Sequence, residues 1–488
     1  MKSKYASLFT SESVSAGHPD KIADQISDAI LDAYLARDPS AKVACECLIT
    51  TGCFVLSGEI SSTAKVDAES IARKVIADIG YTDEAIGFDA SSARCINLLH
   101  TQSPEINQSV ADGGAGDQGL MFGYACSETH ELMPLAIHLS NRLMQRHYEV
   151  LHSGLIPWLL PDARAQVTVA YTLDGTVEGV RKVVLSTQHR PGIDHAALSK
   201  TVIEEIIRPI LADWIKEEEP EYLINPSGSF TIGGPHGDTG LTGRKIVVDS
   251  YGGSAPHGGG AYSGKDPSKV DRSAAYMARY IARHLVLAGV NRDCMVQLSY
   301  AIGRSEPVSV AVRSRNGGYM NQSNLSNEDL SQIVQQCFDL TPAGIITTLQ
   351  LKRPIYRTTA AFGHMGRAEF PWEQTNEALV QQLKDAIQKR NEEIENRKNE
   401  ILERRKGEFA AMSNEELVAA FNRGEGSGAW IPLRMRAMRL LVEEMQRRAL
   451  DLSEICHFDS ESGQLASIQL KGKVHLEGNK VILTNTTK

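Results

Sequence analysis

The spacing of hydrophobic residues along the chain changes between the period of a helix and the period of a strand. The clearest helical stripe begins after Pro19, a residue suited to a first helical turn, and consists of Ile22, Ile26, Ala29, Ile30 and Ala33. Asp20, Asp24 and Asp28 share another face of that helix. The same spacing predicts helices over residues 19–37, 61–79, 130–153, 195–215, 267–288 and 330–338. Apolar runs bounded by turn residues predict strands over 43–50, 54–60, 166–171, 181–188, 245–249 and 295–302.

The chain changes character near residue 375, where a long charged segment begins. Apolar residues recur there every seven positions, at Val380, Ile387, Ile394 and Ile401. The positions three further on are Leu383, Arg390, Arg397 and Arg404. A coiled coil needs apolar residues at both positions. We therefore expect a largely solvated helix that packs along one narrow stripe against another surface, with a dimerising coiled coil as the alternative.

The remaining tail has its own local signals. Residues 413–416 have the pattern of a capping box that opens a second helix. Residues 424–428 are glycine-rich and predict a flexible joint, and 432–450 predict a basic amphipathic helix. Apolar runs over 465–470, 474–476 and 480–483, separated by glycines, predict a small β meander.

Composition and charge exclude several classes of protein. The 488 residues are 42% hydrophobic and 23% charged, which excludes collagen-like, disordered and disulfide-scaffold proteins. With 51 Lys or Arg against 60 Asp or Glu, the net charge is −9, which argues against nucleic-acid or membrane partners. The sequence has no apolar run of about 18 residues and no apolar signal-peptide core, so we expect a cytoplasmic protein. The eight cysteines form no C-x-x-C pair and are expected to be reduced core thiols.

A glycine-rich segment over residues 258–267 is the most informative stretch. Gly259, Gly264 and Lys265 match the spacing of a phosphate-binding loop, although Asp266 replaces the usual Ser or Thr. The basic residues near it are Arg244, Lys245, Lys265, Lys269 and Arg272. Backbone N–H groups and several cations are what a polyphosphate needs, so we predict a polyphosphate site. The alternatives are an ordinary glycine turn and a solvated basic helix face.

Acidic residues in loops supply the second half of the predicted chemistry. His18 and Asp20 stand at the start of the first helix, where an ordinary cap and a helix-dipole partner are the simpler interpretations. Two further glycine loops carry Asp117 and Asp238. Carboxylates beside a polyphosphate cradle suit Mg²⁺. Because neither a G-x-S-x-G nor an H-E-x-x-H motif is present, the residues predict metal-dependent handling of a nucleoside polyphosphate without a protein nucleophile.

Four segments together resemble one known family. Residues 9–21, 116–124, 233–245 and 258–266 look like the motifs of methionine adenosyltransferase (S-adenosylmethionine synthetase), and the similarity runs from about Phe9 to Glu373. The resemblance implies an α+β fold of three similar α/β-sandwich domains with pseudo-threefold symmetry, followed here by a C-terminal extension. The expected domains are an N-terminal one at 1–102, a gating loop and linker at 103–120, a central one at 121–231, a C-terminal one at 232–375, and the helical and β-meander extension at 376–488.

The resemblance also implies an activity and its partners. The methionine sulfur would attack C5′ of ATP, and the released triphosphate would be cleaved to pyrophosphate and phosphate. Mg²⁺, two ions per site, and K⁺ would be the cations. The protein would be a homodimer or homotetramer with active sites at the dimer interface. In this reading electrostatic stabilisation and positioning perform the catalysis.

The family's site residues map onto this chain one by one. The catalytic candidates are His18, Arg164, Arg244, Lys245, Lys265 and Asp238. The substrate-binding candidates are Glu59 and Gln108 for methionine, Asp162, Phe230 and Ala261 for the nucleotide, Lys269 near both substrates, and Asp117. The metal-binding candidates are Asp20 and Asp271 for Mg²⁺ and Glu46 for K⁺.

Four departures from the family pattern leave room for another function. Arg164 replaces the usual lysine, Ala16 replaces the usual glutamate, and Ser229 stands where some relatives have a basic residue. The predicted gate at 108–114 is short, so we expect it to alter KM or product release more than chemistry. The alternatives to an active enzyme are an impaired homologue that acts as a nucleotide-binding regulatory or scaffold subunit, and an unrelated ATP-dependent kinase or ligase. The extension is expected to serve in assembly or docking.

Overall fold

The computed structural model describes residues 6–101, 114–216, 218–314, 323–425, 432–458, 465–468 and 473–484. The chain forms two compact units, Met1–Ile387 and Gln388–Lys488. The larger unit contains three sheets of three or four strands each. The described residues mix helices and sheets in the manner of the expected α+β class.

The segment of residues 6–101 supplies strands and two helices. Its elements are β1 (Ser7–Val14), α1 (Pro19–Leu35), β2 (Lys42–Thr50), β3 (Cys53–Ser61), α2 (Ala68–Ile79), β4 (Thr82–Asp83), β5 (Phe88–Asp89) and β6 (Arg94–Thr101). The predicted helix over 61–79 is wrong in its first turns, because β3 continues to Ser61 and the helix begins only after the Asp67 cap. The first helix follows the prediction to within two residues.

The segment of residues 114–231 contributes the longest strands. Its elements are β7 (Gly119–Cys126), α3 (Leu135–Ser153), β8 (Leu159–Tyr171), β9 (Val177–His189), α4 (His195–Val202), a π-helical turn (Ile203–Ile207), α5 (Arg208–Leu211) and β10 (Glu221–Ile224). The helix predicted over 195–215 is therefore interrupted by the π turn, and Ala212–Trp214 form a 3₁₀ turn.

The segment of residues 232–387 places the loops of the candidate site. Its elements are α6 (Gly234–Gly237), β11 (Gly240–Leu241), α7 (Ile246–Asp249), α8 (Val270–Leu287), β12 (Asp293–Tyr300), β13 (Ser309–Arg313), α9 (Asn327–Cys337), α10 (Pro342–Thr348) and the start of α11 (Glu377–Ala411). The predicted strand over 245–249 is wrong: Ile246–Asp249 is a helical turn. That turn puts the Asp249 carboxylate in a buried ion pair with Lys21, and this contact outweighs the β-propensity of the apolar run.

Each of the three sheets receives one strand from another segment of the chain. The orders are β1–β8–β9–β10, β11–β2–β3–β6 and β13–β12–β7. Strand β1 thus joins the central sheet, β7 joins the C-terminal sheet and β11 joins the N-terminal sheet. This cyclic exchange links the three segments. The central sheet packs against α3, the C-terminal sheet against α8 and the N-terminal sheet against α1.

The register of the exchanged strands brings distant loops together. Strand β1 runs antiparallel to β8 with Val14 opposite Arg164, so the residues that follow β1 lie near Arg164. Strand β11 pairs Gly240 with Ile49, which brings the loop after Leu241 to the N-terminal sheet. Strand β7 pairs Gly119 with Tyr300. The beginning of α1 and the loop after β11 therefore meet.

The smaller unit has a hydrophobic core of its own. It contains the later part of α11, then α12 (Asn414–Glu425), α13 (Pro432–Arg447), β14 (Cys456–Phe458), β15 (Leu465–Ile468), β16 (Val474–Glu477) and β17 (Lys480–Leu483). Phe421, Val442 and Ile455 are fully buried in that core. The capping box is confirmed, because the Ser413 hydroxyl accepts from the Glu416 N–H and the Glu416 carboxylate accepts from the Ser413 N–H.

Two features of the tail differ from the sequence prediction or fall outside the described residues. Within the described parts of the tail, the three predicted meander strands do not form one sheet, since β15 pairs with β14 and β16 pairs with β17. The missed partner is Cys456–Phe458, which follows the helix too closely to stand out as a separate apolar run. Of the predicted glycine joint, residues 424–425 end α12 and 426–428 lie outside the described residues.

Candidate active site

His18 caps the first helix and lies in the interior of the unit. Its side chain is 2% exposed, and its Nδ1 accepts a hydrogen bond from the Asp20 N–H at 3.2 Å. Its Nε2 lies 3.1 Å from the Arg164 guanidinium. Burial, with the charges of Lys245 and Arg164, lowers the pKa of His18 to about 3. The ring is therefore neutral near pH 7, and with Nδ1 as acceptor its hydrogen sits on Nε2. The Nε2–H and the Arg164 guanidinium are then both donors, so they do not hydrogen-bond to each other and only an acceptor oxygen between them could bind both.

Asp20 is the centre of a cationic cluster at the same helix start. Its Oδ2 accepts from Lys245 Nζ at 2.5 Å, and its Oδ1 accepts from the Leu241 N–H at 3.0 Å. Arg244 lies 3.6 Å from Oδ1. Burial would raise the pKa of Asp20, but the Lys245 hydrogen bond and charge outweigh it, and the pKa falls below its ordinary value. Asp20 is therefore an ionised carboxylate surrounded by cations.

The glycine loop forms a second charged pair. Lys265 Nζ donates to Asp271 Oδ2 at 2.7 Å, and both side chains are partly exposed. Two glycines make the loop fit: a Cβ on Gly260 would lie 2.2 Å from Asp271 Oδ1, and one on Gly264, whose φ is +81°, would lie 1.9 Å from the Cys45 carbonyl oxygen. The loop's close approach to Asp271 and to β2 therefore depends on its sequence.

One member of the predicted basic cluster, Arg272, is buried, and another, Lys269, has a carboxylate partner of its own. Arg272 is 0% exposed, and its guanidinium binds Asp28 through two hydrogen bonds of 2.6 and 2.8 Å. Lys269 Nζ pairs with Asp266. The predicted basic cluster is therefore divided: Arg272 lies under the loop, whereas Arg244, Lys245, Lys265 and Lys269 remain partly exposed.

Candidate nucleotide-binding residues lie near the Gly233–Gly234 turn. Asp162 Oδ2 accepts from the Gly234 N–H at 2.9 Å, whereas its buried Oδ1 has no hydrogen-bond partner in the described part of the chain. Burial raises the pKa of Asp162 to about 6. The half-buried Phe230 ring lies against Gly233, where a Cβ would be 2.8 Å from the ring. Asp238 is exposed and accepts from the Thr239 N–H.

Ala261 joins the two loops that bear cations. A Cβ on Gly243 would lie 2.5 Å from the Ala261 Cβ, so the segment that leads to Arg244 and Lys245 touches the glycine loop. The Asp20 cluster and the Lys265–Asp271 pair are therefore attached to loops in direct contact.

Three predicted residues stand on exposed surfaces. Glu46 and Glu59 point to the face of the N-terminal sheet opposite α1, where Glu59 lies 3.6 Å from His100. Asp117 is exposed and accepts from the Gln118 N–H at 2.7 Å. No described contact joins these three carboxylates to the Asp20 cluster. Gln108, and the predicted gate up to Gly113, lie outside the described residues.

The acidic residues fit Mg²⁺ only if phosphate oxygens complete the coordination. Among the described residues, no group of three or more His, Cys, Asp or Glu side chains could hold a metal. Asp20 and Asp271 are separate carboxylates, each neutralised by one lysine. Mg²⁺ is typically bound by one or two carboxylates together with substrate phosphates, so this donor set fits it.

Lys21 and Asp249 are buried charged residues beside the site that were not predicted from the sequence. Lys21 is fully buried and pairs with Asp24 at 3.0 Å and with Asp249. Burial would lower the pKa of Lys21, but these two carboxylates raise it above its ordinary value. The signal was present, because Lys21 directly precedes the apolar stripe of α1, yet a lysine in a first turn is usually exposed.

Comparison with protein families accounts for most of the larger unit. Residues 6–104 match the N-terminal domain of S-adenosylmethionine synthetase, 112–230 match its central domain, and 232–374 match its C-terminal domain. In the described part of the chain, no helix is long and apolar enough to cross a membrane. The three matches follow the family's order and cover about three quarters of the chain, and each exchanged strand lies in a different match. The chain therefore belongs to the S-adenosylmethionine synthetase family.

Proposed function

We propose that this protein synthesises S-adenosylmethionine from ATP and L-methionine and hydrolyses the triphosphate to pyrophosphate and phosphate. The observation that carries the proposal is the cluster of neutral His18, Arg164, Asp20 and Lys245 at the start of α1. Donors and cations gathered around one buried carboxylate support the proposal, because they suit a polyanionic leaving group.

The transfer step needs no protein nucleophile. A lone pair of the methionine sulfur forms the bond to C5′, and the C5′–O bond breaks with its electrons on the triphosphate oxygen. The His18 Nε2–H and the Arg164 guanidinium are placed to stabilise the charge that develops on that oxygen. Because the pKa of His18 is about 3, the ring donates without first taking up a proton.

Phosphate binding is assigned to three cations on the two touching loops. Arg244, Lys245 and Lys265 would hold the triphosphate, since they are partly exposed and each lies beside a carboxylate that can be re-partnered. Asp238 and Lys269 would lie near both substrates. Asp20 and Asp271 would each hold one Mg²⁺, which would neutralise phosphate charge when bound; Glu46 would lie by K⁺.

The remaining substrate contacts follow from the same family pattern. Asp162, Phe230 and Ala261 would line the nucleotide site, a role supported by the unpartnered Asp162 oxygen and by the half-buried ring. Glu59 and Gln108 would bind methionine, with Asp117 nearby.

The exposed face of the N-terminal sheet supports a homodimer or homotetramer with active sites at the dimer interface. Leu98 on this face is 59% exposed, and it shares the face with the carboxylates Glu46 and Glu59. A second copy covering the face would bury the apolar residues and bring these carboxylates into a shared site. The proposal includes a cytoplasmic location for the protein and an assembly or docking role for residues 376–488. It also keeps the expected domain bounds of 1–102, 121–231 and 232–375, with the gating loop and linker at 103–120.

The test is an assay with ATP, methionine, Mg²⁺ and K⁺ that follows S-adenosylmethionine, pyrophosphate and phosphate together. The wild type is expected to release all three, and Lys245→Met to lose at least about a hundredfold in kcat/KM. Asp32→Asn, which lies on α1 and contacts none of Arg244, Lys245 and Lys265, is the control. Phosphate without S-adenosylmethionine would indicate a bare ATPase, and nucleotide binding without turnover would favour the regulatory or scaffold subunit.

A further inference from the structure

Four aspartates at four-residue intervals form a row along one face of α1. They are Asp20, Asp24, Asp28 and Asp32, and a spacing of four places each about one turn, or about 6 Å, beyond the last. All four carboxylates accept hydrogen bonds from backbone N–H groups of residues 232–374, so this face of α1 contacts that segment along its whole length. The row therefore connects one rigid helix to several loops.

Each aspartate accepts backbone N–H groups from a different point of that segment. Asp24 Oδ1 accepts from Gly243 at 2.8 Å, and Asp28 Oδ1 accepts from Gly264 at 2.8 Å. Asp32 accepts from Tyr356 at 2.9 Å and from Arg357 at 2.8 Å. Gly243 directly precedes Arg244 and Lys245, and Gly264 directly precedes Lys265. The two middle aspartates thus hold the backbone immediately before the proposed phosphate-binding cations.

Buried cations balance these two carboxylates without facing the site. Asp24 pairs with Lys21 and Asp28 pairs with Arg272, and all four side chains are 0% exposed. Arg272 also donates to the Lys265 carbonyl at 3.2 Å, so it holds the loop from a second direction. Arg272 neutralises Asp28, and Lys21, which Asp24 shares with Asp249, offsets part of the charge of Asp24. The two aspartates therefore hold the loops while cancelling little of the positive charge presented to a polyphosphate.

We infer that Asp24 and Asp28 are positioning residues that fix the spacing between the Arg244–Lys245 pair and Lys265, and so match it to a polyphosphate chain. The physical reason is preorganisation: cations on two separate loops bind a polyanion best when their spacing is set before it arrives, and glycines give a loop no intrinsic stiffness to set it. Anchoring both loops to one helix, a turn apart, fixes the distance between their cations. This role presupposes the proposed function, because it assigns the polyphosphate as the ligand.

The test is calorimetric binding of inorganic tripolyphosphate with Mg²⁺ to the full-length protein, for Asp24→Asn and Asp28→Asn. Asparagine keeps an oxygen for the backbone N–H but loses the ion pair. The matched control is Asp32→Asn, which lies on the same face and holds a loop that carries none of the proposed phosphate-binding side chains. All variants are compared well below their thermal midpoints, with folding verified by circular dichroism.

We expect Asp24→Asn and Asp28→Asn to raise the Kd for tripolyphosphate about tenfold, as for one lost charge-assisted interaction, and Asp32→Asn to stay within about twofold. In turnover, KM for ATP should rise while KM for methionine stays unchanged. If Asp28→Asn does not fold, Arg272→Lys replaces it, since lysine keeps the charge but its single nitrogen cannot reproduce the two parallel hydrogen bonds to Asp28 together with the bond to the Lys265 carbonyl.

Two results would overturn the inference: unchanged tripolyphosphate binding in both variants, or equal weakening in the Asp32→Asn control. A wild type that binds tripolyphosphate but makes no S-adenosylmethionine would contradict the proposed function instead. The tripolyphosphate comparison would then still decide the positioning role.

Discussion

Replacing His18 by asparagine separates its chemical role from its structural one. His18 caps α1 by accepting the Asp20 N–H, and asparagine is among the best N-cap residues, so the helix start should survive. What the variant loses is the Nε2–H beside Arg164. Removing one preorganised donor to a developing oxyanion costs about 10²–10³ in kcat, or about 3–4 kcal/mol of transition-state stabilisation. KM for ATP should change only a few-fold, because Arg244, Lys245 and Lys265 still bind the phosphates.

The assay is steady-state formation of S-adenosylmethionine by wild type, His18→Asn and His18→Ala between pH 5 and 9. Because the pKa of His18 is about 3, the wild-type rate should show no ionisation of this ring in that range. His18→Ala should match His18→Asn in kcat and also lose about 1 kcal/mol of stability with the cap. A wild-type limb near pH 6.5 that disappears in His18→Asn would refute the neutral-ring reasoning. If His18→Asn raised KM for ATP and left kcat unchanged, that result would refute the role of His18 in stabilising the transition state.

Four further changes have defined outcomes. Arg164→Lys, which restores the family's usual residue, should keep kcat within about tenfold, whereas Arg164→Met should lose about a hundredfold, as steady-state kinetics would show. Burial lowers the pKa of His147 to about 3, so below pH 6.5 the unfolded chain takes up a proton that the folded chain does not; denaturant titrations should show wild type losing about 1.4 kcal/mol more per pH unit than His147→Asn. Ser413→Ala should lower the stability of the smaller unit by about 1 kcal/mol, seen in its unfolding transition, while Ser467→Ala, at an exposed position of β15, should not. A chain that ends at Ile387 keeps every described site residue and should retain kcat per site; a changed mass by light scattering would support the assembly role of the extension, and an unchanged mass with normal kinetics would leave only docking of a partner.

Sequence periodicity was sufficient to predict the helices that have a continuous apolar face. The stripe of α1 is long and its proline start is unambiguous, so the prediction of that helix is close to the observed Pro19–Leu35. It failed where contacts from distant segments decide the local conformation. Residues 246–249 are β-branched and apolar, yet they form a turn because Asp249 must reach buried Lys21. The exchanged strands β1 and β7 were missed, since their pairing partners lie 150 residues or more away along the chain.

Glycine and charge patterns predicted the residues of the candidate site, but not which of its cations are exposed and which are buried. The sequence grouped Arg272 with the exposed lysines because all five cations lie near one glycine loop. Only the fold separates Lys265, which faces the open site, from Arg272, which is buried against Asp28. The aspartates of α1 were grouped on one face correctly, whereas their backbone partners in a segment more than 200 residues away depend on tertiary contacts.

The central claim is direct transfer of the adenosyl group to sulfur with the triphosphate stabilised by α1 and its two loops. Rapid-quench single turnover with ATP and isotope-labelled methionine, combined with the intact mass of the protein, tests it most directly. The account predicts equal amounts of S-adenosylmethionine, pyrophosphate and phosphate from each ATP consumed, with the protein mass unchanged throughout. Phosphate without labelled S-adenosylmethionine, or a transient adenosyl or phosphoryl adduct on the protein, would contradict it.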